Sequence, residues 1–289
     1  MAESQTEVDP KPERKPQKSQ QIILKQTEEA GLTQLERNTT GLALSGFSAG
    51  LDIGFSVLLM TVMLTLFKGV LPDAITHVIV ASMYPIGFIF VILGRSELFT
   101  EHTTLAILPV LERLTSIKKL LRLWGIVYLS NILGGLMFAG ILTWFAGSLH
   151  YLQNWALYDI AFNNLHHEFL TTMLSAALAG WLMGLLAWLV AAARETISQI
   201  LLIFIITSAI GIIGLPHCIV GNIEVSTALF AGKISLVQYL GFIVPVTIGN
   251  ALGGVFFVGV LKFSHTKFSG REQEIILDEI EIGTDADTL

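Results

Sequence analysis

The stretch that decides the fold is GRSELFTEHTT, residues 94–104, which directly follows a long apolar run. Its eleven positions hold an arginine, two glutamates, a histidine and three threonines, where a membrane helix should be finishing. Irregular backbone survives at membrane depth only inside protein or beside a water-filled cavity, because its polar groups cannot face lipid unpaired. The stretch therefore predicts an interrupted helix that borders a wet passage.

The composition places this interruption in a polytopic membrane protein. The 289 residues are 53% hydrophobic and 14% charged, with a mean hydropathy of +0.67. Soluble domains carry about 25% charged residues, so an ordinary soluble fold is excluded. The first 25 or so residues are polar and read as a disordered tail, and residues 26–38 predict a short amphipathic helix leading to the membrane.

Six apolar runs approach the roughly 20 residues that cross a bilayer as a helix. They occupy 41–67, 75–93, 121–146, 169–193, 196–213 and 237–263. Two shorter apolar pieces, 105–111 and 223–231, follow polar breaks after the second and fifth runs. We interpret them as second halves of interrupted helices, so that spans two and five are broken.

Lysine and arginine residues are distributed unequally between the two sides of this topology. Fourteen lie in the N-terminal tail, the 112–122 connection, the connection at Arg194 and the segment after span six, whereas the opposite side has only Lys68 and Lys233. Because cytoplasmic loops are enriched in positive charge, both termini are predicted to be cytoplasmic.

An internal similarity links the two halves of the chain. LSNILGGLMFAGI (129–141) and IGNALGGVFFVGV (248–260) share six of thirteen residues, including Asn131 with Asn250. An odd number of spans, three, separates the copies, so the two copies run through the membrane in opposite directions. This predicts an inverted 3+3 repeat with the substrate site between its halves. A shift of 120 residues sets GRSELFTEHTT over GLPHCIVGNIE (214–224), and Glu97 then falls opposite His217. Half-helices starting near Thr104 and Asn222 would aim their partly positive N-termini at a small anion.

At these residues the chain resembles the formate/nitrite transporter family, and within it the YfdC-like branch. SELFTEHT resembles the family's break in the second helix, GLPHCIVGN its fifth-helix break with a central histidine, and the N-x-L-G-G pair its third and sixth helices. The resemblance covers about residues 35–265. It implies a homopentamer of aquaporin-like six-helix protomers, each with its own pore for small monovalent anions such as formate, nitrite or hydrosulfide.

Positions that match the family's motifs supply the candidate pore residues. The resemblance implies that Leu98 and Phe99 narrow the pore, that Thr100 offers a hydroxyl, and that His217 is the central histidine between two hydrophobic constrictions. The chain departs from the family's usual residues at Arg95, Glu101, His102, Gly221 and Asn164, where a lysine is often found. The last departure removes a positive charge from the expected outer mouth.

The residues themselves leave the roles of several side chains open. His217 is either a proton donor or hydrogen-bond partner to the permeant ion, or a structural group for loop backbone. Glu97 is expected to brace the loop and orient His217 rather than line the pore. Arg95 is expected to pair with Glu97 or Glu101, with an anion-selective guanidinium as the alternative. Glu101 and His102 are expected to be solvated.

Other polar and small residues are expected to support the pore loops. Asn131 and Asn250 should satisfy interrupted backbone, each from the neighbouring span of its half. Gly221 and Asn222 belong to the fifth-helix break. The ladder Gly46, Gly50 and Gly54 permits close helix contact, within one protomer or between subunits.

The sequence predicts an all-α membrane protein with three regions: a cytoplasmic tail (1–38), a six-helix transport domain (39–265) and an acidic cytoplasmic tail (266–289). We expect a channel or transporter for a small monovalent anion or its conjugate acid in the bacterial inner membrane, passive or proton-linked. Its partners would be that solute, the lipid bilayer and further copies of the chain, without nucleic acid, metal or cofactor.

Three other functions were weighed on the residues. Asp52, Glu97, Glu101 and Glu224 would suit a channel for a neutral or cationic solute. An intramembrane enzyme is disfavoured, because Cys218 beside His217 is the one arrangement that suggests a nucleophile and adjacent loop residues point apart. A structural or sensor role would follow if the departures from the family closed the pore.

Overall fold

The computed structural model describes residues 18–266 and residue 268, and those residues form helices joined by short connections. Six helical segments are long and apolar enough to cross a membrane, which confirms the six predicted spans. They are α2 (Thr39–Phe67), α3 with α4 (Asp73–Ala81 and Pro85–Gly94), α7 (Ile117–Phe145), α9 (Phe169–Ala192), α10 (Thr196–Ile213), and α12 (Leu236–Gly254) with its π-helical continuation Val255–Lys262.

Five shorter helices complete the described part of the chain: α1 (Gln20–Glu36), α5 (Phe99–Leu105), α6 (Leu108–Leu111), α8 (Asn154–Asn163) and α11 (Cys218–Phe230). The two pieces predicted as second halves of interrupted helices therefore begin earlier than expected, at Phe99 and Cys218 instead of near Thr104 and Asn222. The polar residues at 99–103 and 218–221 suggested loops, but in the structure these residues are helical. Their polar side chains form hydrogen bonds within the protein. The Thr103 hydroxyl donates to the Thr100 carbonyl at 2.9 Å.

Helix α1 starts six residues before the predicted position, so the expectation of disorder is wrong for residues 20–25. The Ser19 hydroxyl caps its first turn by accepting from the Ile22 amide at 3.3 Å. Buried residues recur every fourth position, at Ile23, Thr27, Gly31 and Leu35. This stripe packs against α5, α6, α7 and α9, and that packing stabilises the helix over residues 20–25 as well as over the predicted part. Residues 1–17 of the predicted N-terminal tail, and residues 267 and 269–289 of the predicted C-terminal tail, lie outside the described residues.

The glycine ladder of α2 packs inside the protomer, against α7. Gly46 faces Ser130 and Asn131, and Gly50 lies so close that a Cβ there would overlap the Asn131 carbonyl oxygen. In α9 and α12, Gly180 lies in the same way against the Asn250 backbone. Of the two sequence alternatives, the structure therefore shows the contact within one chain. The close approach of the α2 backbone to α7, and of the α9 backbone to α12, positions Asn131 and Asn250 inside the bundle.

Both interruptions begin with a residue in the left-handed backbone region. Helix α4 ends at Arg95 (φ 59°), and α10 ends at Gly214 (φ 75°). Glycine adopts this conformation without a side-chain clash, whereas an arginine there is uncommon. Three non-helical residues then lead into each of α5 and α11, and the last of them is the N-cap, Leu98 or His217, with extended backbone.

We expect Gly50→Ala to lower the free energy of unfolding by about 1–3 kcal/mol, because an added methyl group would force α2 away from α7. Thermal unfolding of the detergent-purified protein measures the effect. The matched control is Gly125→Ala on α7, where a Cβ would meet open space and helix propensity improves. Equal melting temperatures for the two variants would contradict this packing.

Candidate functional site

Asn131 satisfies the backbone of the first interruption. Its Oδ1 accepts from the Phe99 amide at 2.8 Å, and its Nδ2 donates to the Glu97 carbonyl at 2.8 Å and to the Gly46 carbonyl at 2.7 Å. The side chain is fully buried, where unpaired backbone groups would be costly. One amide group therefore ties α7 to α2 and to the start of α5.

Asn250 makes the same set of bonds at the second interruption. Its Oδ1 accepts from the Cys218 amide at 2.8 Å, while its Nδ2 donates to the Pro216 carbonyl at 3.1 Å and to the Ala176 carbonyl at 2.8 Å. This side chain is also fully buried. It ties α12 to α9 and to the start of α11.

The two bond sets can be compared by position. Asn131 and Asn250 differ by 119 positions, as do the amides that they accept from, of Phe99 and Cys218, and the carbonyls of Glu97 and Pro216. The carbonyls of Gly46 and Ala176 on the neighbouring helices differ by 130. In these two bond sets Leu98 occupies the place that His217 occupies, and Glu97 that of Pro216. The spacing of the bonds thus differs by one residue from the shift of 120 that sets Glu97 against His217.

His217 joins the two interruptions directly. Its Nδ1 accepts from the amides of Ile219 and Val220, both at 3.3 Å, and so caps α11. Its Nε2 lies 2.8 Å from the Thr100 hydroxyl oxygen. Because Nδ1 accepts, a neutral ring carries its hydrogen on Nε2 and donates it to Thr100. The Thr100 hydroxyl hydrogen then remains available for another acceptor.

Apolar and aromatic side chains surround this pair. The Phe88 ring contacts the imidazole edge-to-face, with centroids 5.2 Å apart, and Tyr84 stacks on Phe88 at 5.4 Å. Leu98 is fully buried, and Phe99 packs against the Tyr128 ring at 5.0 Å. His217 itself is 1% exposed. The Thr100–His217 bond therefore lies in a setting that disfavours bare charge.

Glu97 contacts other groups than those expected. Its carboxylate accepts from Arg37 at 2.6 Å and pairs with His102, while its amide donates to the Ser45 hydroxyl at 3.1 Å. It braces the loop, but it neither orients His217 nor pairs with Arg95. The partner of Glu97 is Arg37, the C-cap of α1, and not Arg95. The two residues are 60 positions apart along the chain, so the sequence pattern does not reveal this contact.

The polar residues flanking Glu97 also differ in part from expectation. Arg95 is exposed at the left-handed end of α4, and Glu101 is partly buried. His102 is 2% exposed and not solvated, because it pairs with Glu97 and its carbonyl accepts from the Trp124 indole at 3.0 Å. The contacts from Arg37 to Glu97, from Glu97 to His102 and from His102 to Trp124 thus link α1, α5 and α7.

Gly221 and Asn222 pack α11 against its neighbours. A Cβ on Gly221 would collide with the Phe242 ring. Asn222 donates to the Ile132 carbonyl at 3.2 Å and accepts from the Tyr239 hydroxyl at 2.8 Å. Both residues thereby hold α11, whose N-cap is His217, in place.

A cavity of about 500 Å³ opens on one side of His217, and we call it the His217 cavity. It extends to Lys68 and Asp159, whose side chains form an ion pair of 2.7 Å. Along its wall, the Asn164 amide donates to a Glu224 carboxylate oxygen at 2.9 Å. Tyr84 is a further wall residue that the sequence analysis did not select, since a tyrosine within an apolar run gives no signal of a cavity.

Comparisons with known proteins agree with this architecture. The family model described as formate/nitrite transporter matches residues 20–264. The chain is 31% identical to the uncharacterized transporter YrhG of Bacillus subtilis (strain 168), covering 85% of this chain and 93% of YrhG. It is 29% identical to the inner membrane protein YfdC of Escherichia coli (strain K12), covering 82% of this chain and 76% of YfdC.

A solved structure described as a pentameric formate channel with formate bound has the same fold. Its TM-score is 0.67 at 23% identity, and the match covers 79% of this chain and 97% of that one. The family model spans the described bundle from α1 to the continuation of α12. The chain therefore belongs to the formate/nitrite transporter family.

Proposed function

We propose that the protein is a channel or proton-linked transporter for a small monovalent anion of the formate or nitrite type, or for its conjugate acid. The observation that carries the proposal is the Thr100–His217 hydrogen bond of 2.8 Å, which joins the two interruptions at the end of the His217 cavity. Membership of a transporter family favours transport over an intramembrane enzyme.

The chemistry of the pair suits a small weak acid. With Nε2–H donated to Thr100, the Thr100 hydroxyl donates its own hydrogen to an oxygen of the permeant. Leu98, Phe99 and Phe88 keep water away, which strengthens this bond and penalises a bare anion. A permeant that takes up a proton near His217 crosses the apolar surroundings as a neutral molecule.

The two interruptions are the centre of a proposed inverted repeat with broken second and fifth membrane helices. The matched bonds of Asn131 and Asn250 support this relation. Helix α11 is thirteen residues long and has His217 as its N-cap, so its partly positive end favours an anion there.

We further propose a homopentamer in the bacterial inner membrane with both termini cytoplasmic. The pentameric formate channel of the same fold and the description of YfdC support assembly and location. The charge distribution supports the orientation, since Lys68 and Lys233 lie on the side of α8, over the rings of Trp155 and Tyr158. The transport domain would comprise residues 39–265, between tails 1–38 and 266–289.

A second candidate is a channel for a neutral or cationic small solute. The acidic wall of the His217 cavity favours it, because Asp73, Asp159 and Glu224 face a single lysine, Lys68, which is already paired with Asp159. Of these acids Glu224 is buried without a cationic partner among the described residues, and such a group attracts cations and repels anions more strongly than the exposed Asp73.

A substrate panel separates the two candidates. We expect proteoliposomes holding the full chain to take up formate or nitrite well above protein-free liposomes, with smaller uptake of urea and of sodium ions. Stopped-flow fluorescence and isotope uptake measure these fluxes. Uptake of urea or cations without any anion flux would replace the first proposal with the second.

We expect Thr100→Val to lower formate uptake by about tenfold, because one hydrogen bond of about 1.4 kcal/mol to the permeant is lost. Initial uptake rates in proteoliposomes measure the change. The control is Thr65→Val, since the Thr65 hydroxyl bonds the Thr61 carbonyl of its own helix at 2.8 Å. Similar rates for both variants would remove Thr100 from the pathway.

Uptake should rise as external pH falls, because protonation of the permeant is then easier, and His217→Ala should reshape that profile. Uptake rates from about pH 5 to about pH 8 test this expectation, with folding checked by size-exclusion chromatography. His150→Ala is the control, since His150 is exposed in the connection before α8. An unchanged profile in His217→Ala would refute a role in proton exchange.

A further inference from the structure

Glu224 is a buried carboxyl group in the wall of the His217 cavity that the proposed transport step does not use. Its residue is 6% exposed, and it lies seven positions after His217. Seven residues of helix correspond to about 10 Å and bring the side chain back to the same face of α11. A solute moving between Lys68 and His217 therefore passes this group.

Asn164 fixes how the carboxyl group is bound. The Asn164 Nδ2 donates both to the Ile160 carbonyl at 3.1 Å and to Glu224 Oε2 at 2.9 Å. Because a carbonyl oxygen can only accept, this amide must present its NH₂ group to both partners. Oε2 is thus an acceptor whether the carboxyl group is charged or neutral, and the second oxygen can carry a proton.

No positive charge compensates Glu224 within the described part of the chain. Ion pairs there include Lys68 with Asp159, at the far end of the cavity, but none that involves Glu224. Lys233 lies over the Tyr158 ring. A buried carboxylate with only an amide partner repels an anion strongly, since little water screens it.

The other titratable groups around Glu224 do not supply that charge. Asp73, at the start of α3, is acidic and exposed, and His77 holds the Ile212 carbonyl through Nε2 at 2.8 Å. His217 has both ring nitrogens engaged. Of the elements packed against α11, α2 carries Asp52, α8 carries Tyr158 and Asp159, and α12 carries Tyr239. Helix α7 carries Tyr128 and three cations, Lys118, Lys119 and Arg122, which lie about 15 Å or more along the helix from Ile132, where Asn222 binds. The other two groups are the phenol of Tyr84 and the thiol of Cys218.

We propose that Glu224, held by Asn164, is a proton-responsive charge filter of the His217 cavity. This inference rests on the proposed function and names the residue that decides which solutes reach His217. In its charged form, Glu224 excludes anions and admits only the neutral acid. When it takes up a proton from the cavity, the repulsion disappears and its O–H donates to an oxygen of the entering anion.

The test compares Glu224→Gln with the unaltered protein in proteoliposomes at each pH from about 5 to about 8. Glutamine keeps an acceptor for Asn164 but carries no charge. At about pH 8 we expect formate uptake by the variant to exceed that of the unaltered protein by about tenfold. The substitution removes a negative charge about 10 Å from an anion that has reached His217. The ratio should fall to about one at the acid end, where Glu224 is neutral in both.

Two further variants sharpen this comparison. Asp73→Asn removes an exposed carboxylate from the same cavity, and its ratio should stay near one because water screens that charge. Asn164→Ala removes the hydrogen-bond donor that favours the charged form of Glu224. The pH at which anion uptake changes should therefore be higher in this variant. A Glu224→Gln ratio that is constant across pH would overturn the filter.

Infrared difference spectroscopy tests the group independently of transport. The unaltered protein minus Glu224→Gln should show the carbonyl stretch of a protonated carboxyl group that disappears as pH rises and shifts when formate is added. If the unaltered protein carried no anion at any pH, the proposed function would fail. The titrating band would still support proton exchange at Glu224, and its absence throughout the range would overturn it.

Discussion

Buried backbone groups at the two interruptions must find hydrogen-bond partners, and this requirement organises the rest of the structure. Asn131 and Asn250 each offer one acceptor and two donors, which match the free amide and the two carbonyl groups of an interruption and its neighbouring helix. An interrupted helix without such a partner would expose several polar groups to an apolar interior, at a cost of about 1–3 kcal/mol each. The asparagines therefore make it possible for α5 and α11 to start inside the bundle.

The chemistry at Thr100 and His217 depends on those starts. Because His217 is the N-cap of α11, its Nδ1 is occupied by two amides, and this fixes which nitrogen faces Thr100. Leu98 holds the same position at the start of α5 but brings an apolar side chain. The starts of α5 and α11 thus share an asparagine-bonded backbone arrangement while their N-caps bring different chemistry, so that one polar pair lies among apolar side chains.

Close helix packing sets the depth of the asparagines. Gly50 and Gly180 allow the backbones of α2 and α9 to touch those of α7 and α12 next to Asn131 and Asn250. On the side of α1, the pairs of Glu97 with Arg37 and His102 connect the first interruption to the helix that precedes the bundle. On the other side, Lys68 and Asp159 connect α2 to α8. Interactions between separate segments therefore hold α1 and α8 against the bundle.

The sequence by itself determined the membrane class and the six spans, and it pointed to the two polar segments around Glu97 and His217. These follow from hydropathy, from the polarity of residues 94–104 and 214–224, and from repeated asparagines, all of which are local signals. Only the tertiary structure decided where α5 and α11 begin, which residues are their N-caps, and that Arg37 is the partner of Glu97. The physical reason is that a buried polar group is satisfied by whichever donor or acceptor the packing brings near, here 60 residues away along the chain for Arg37 and Glu97.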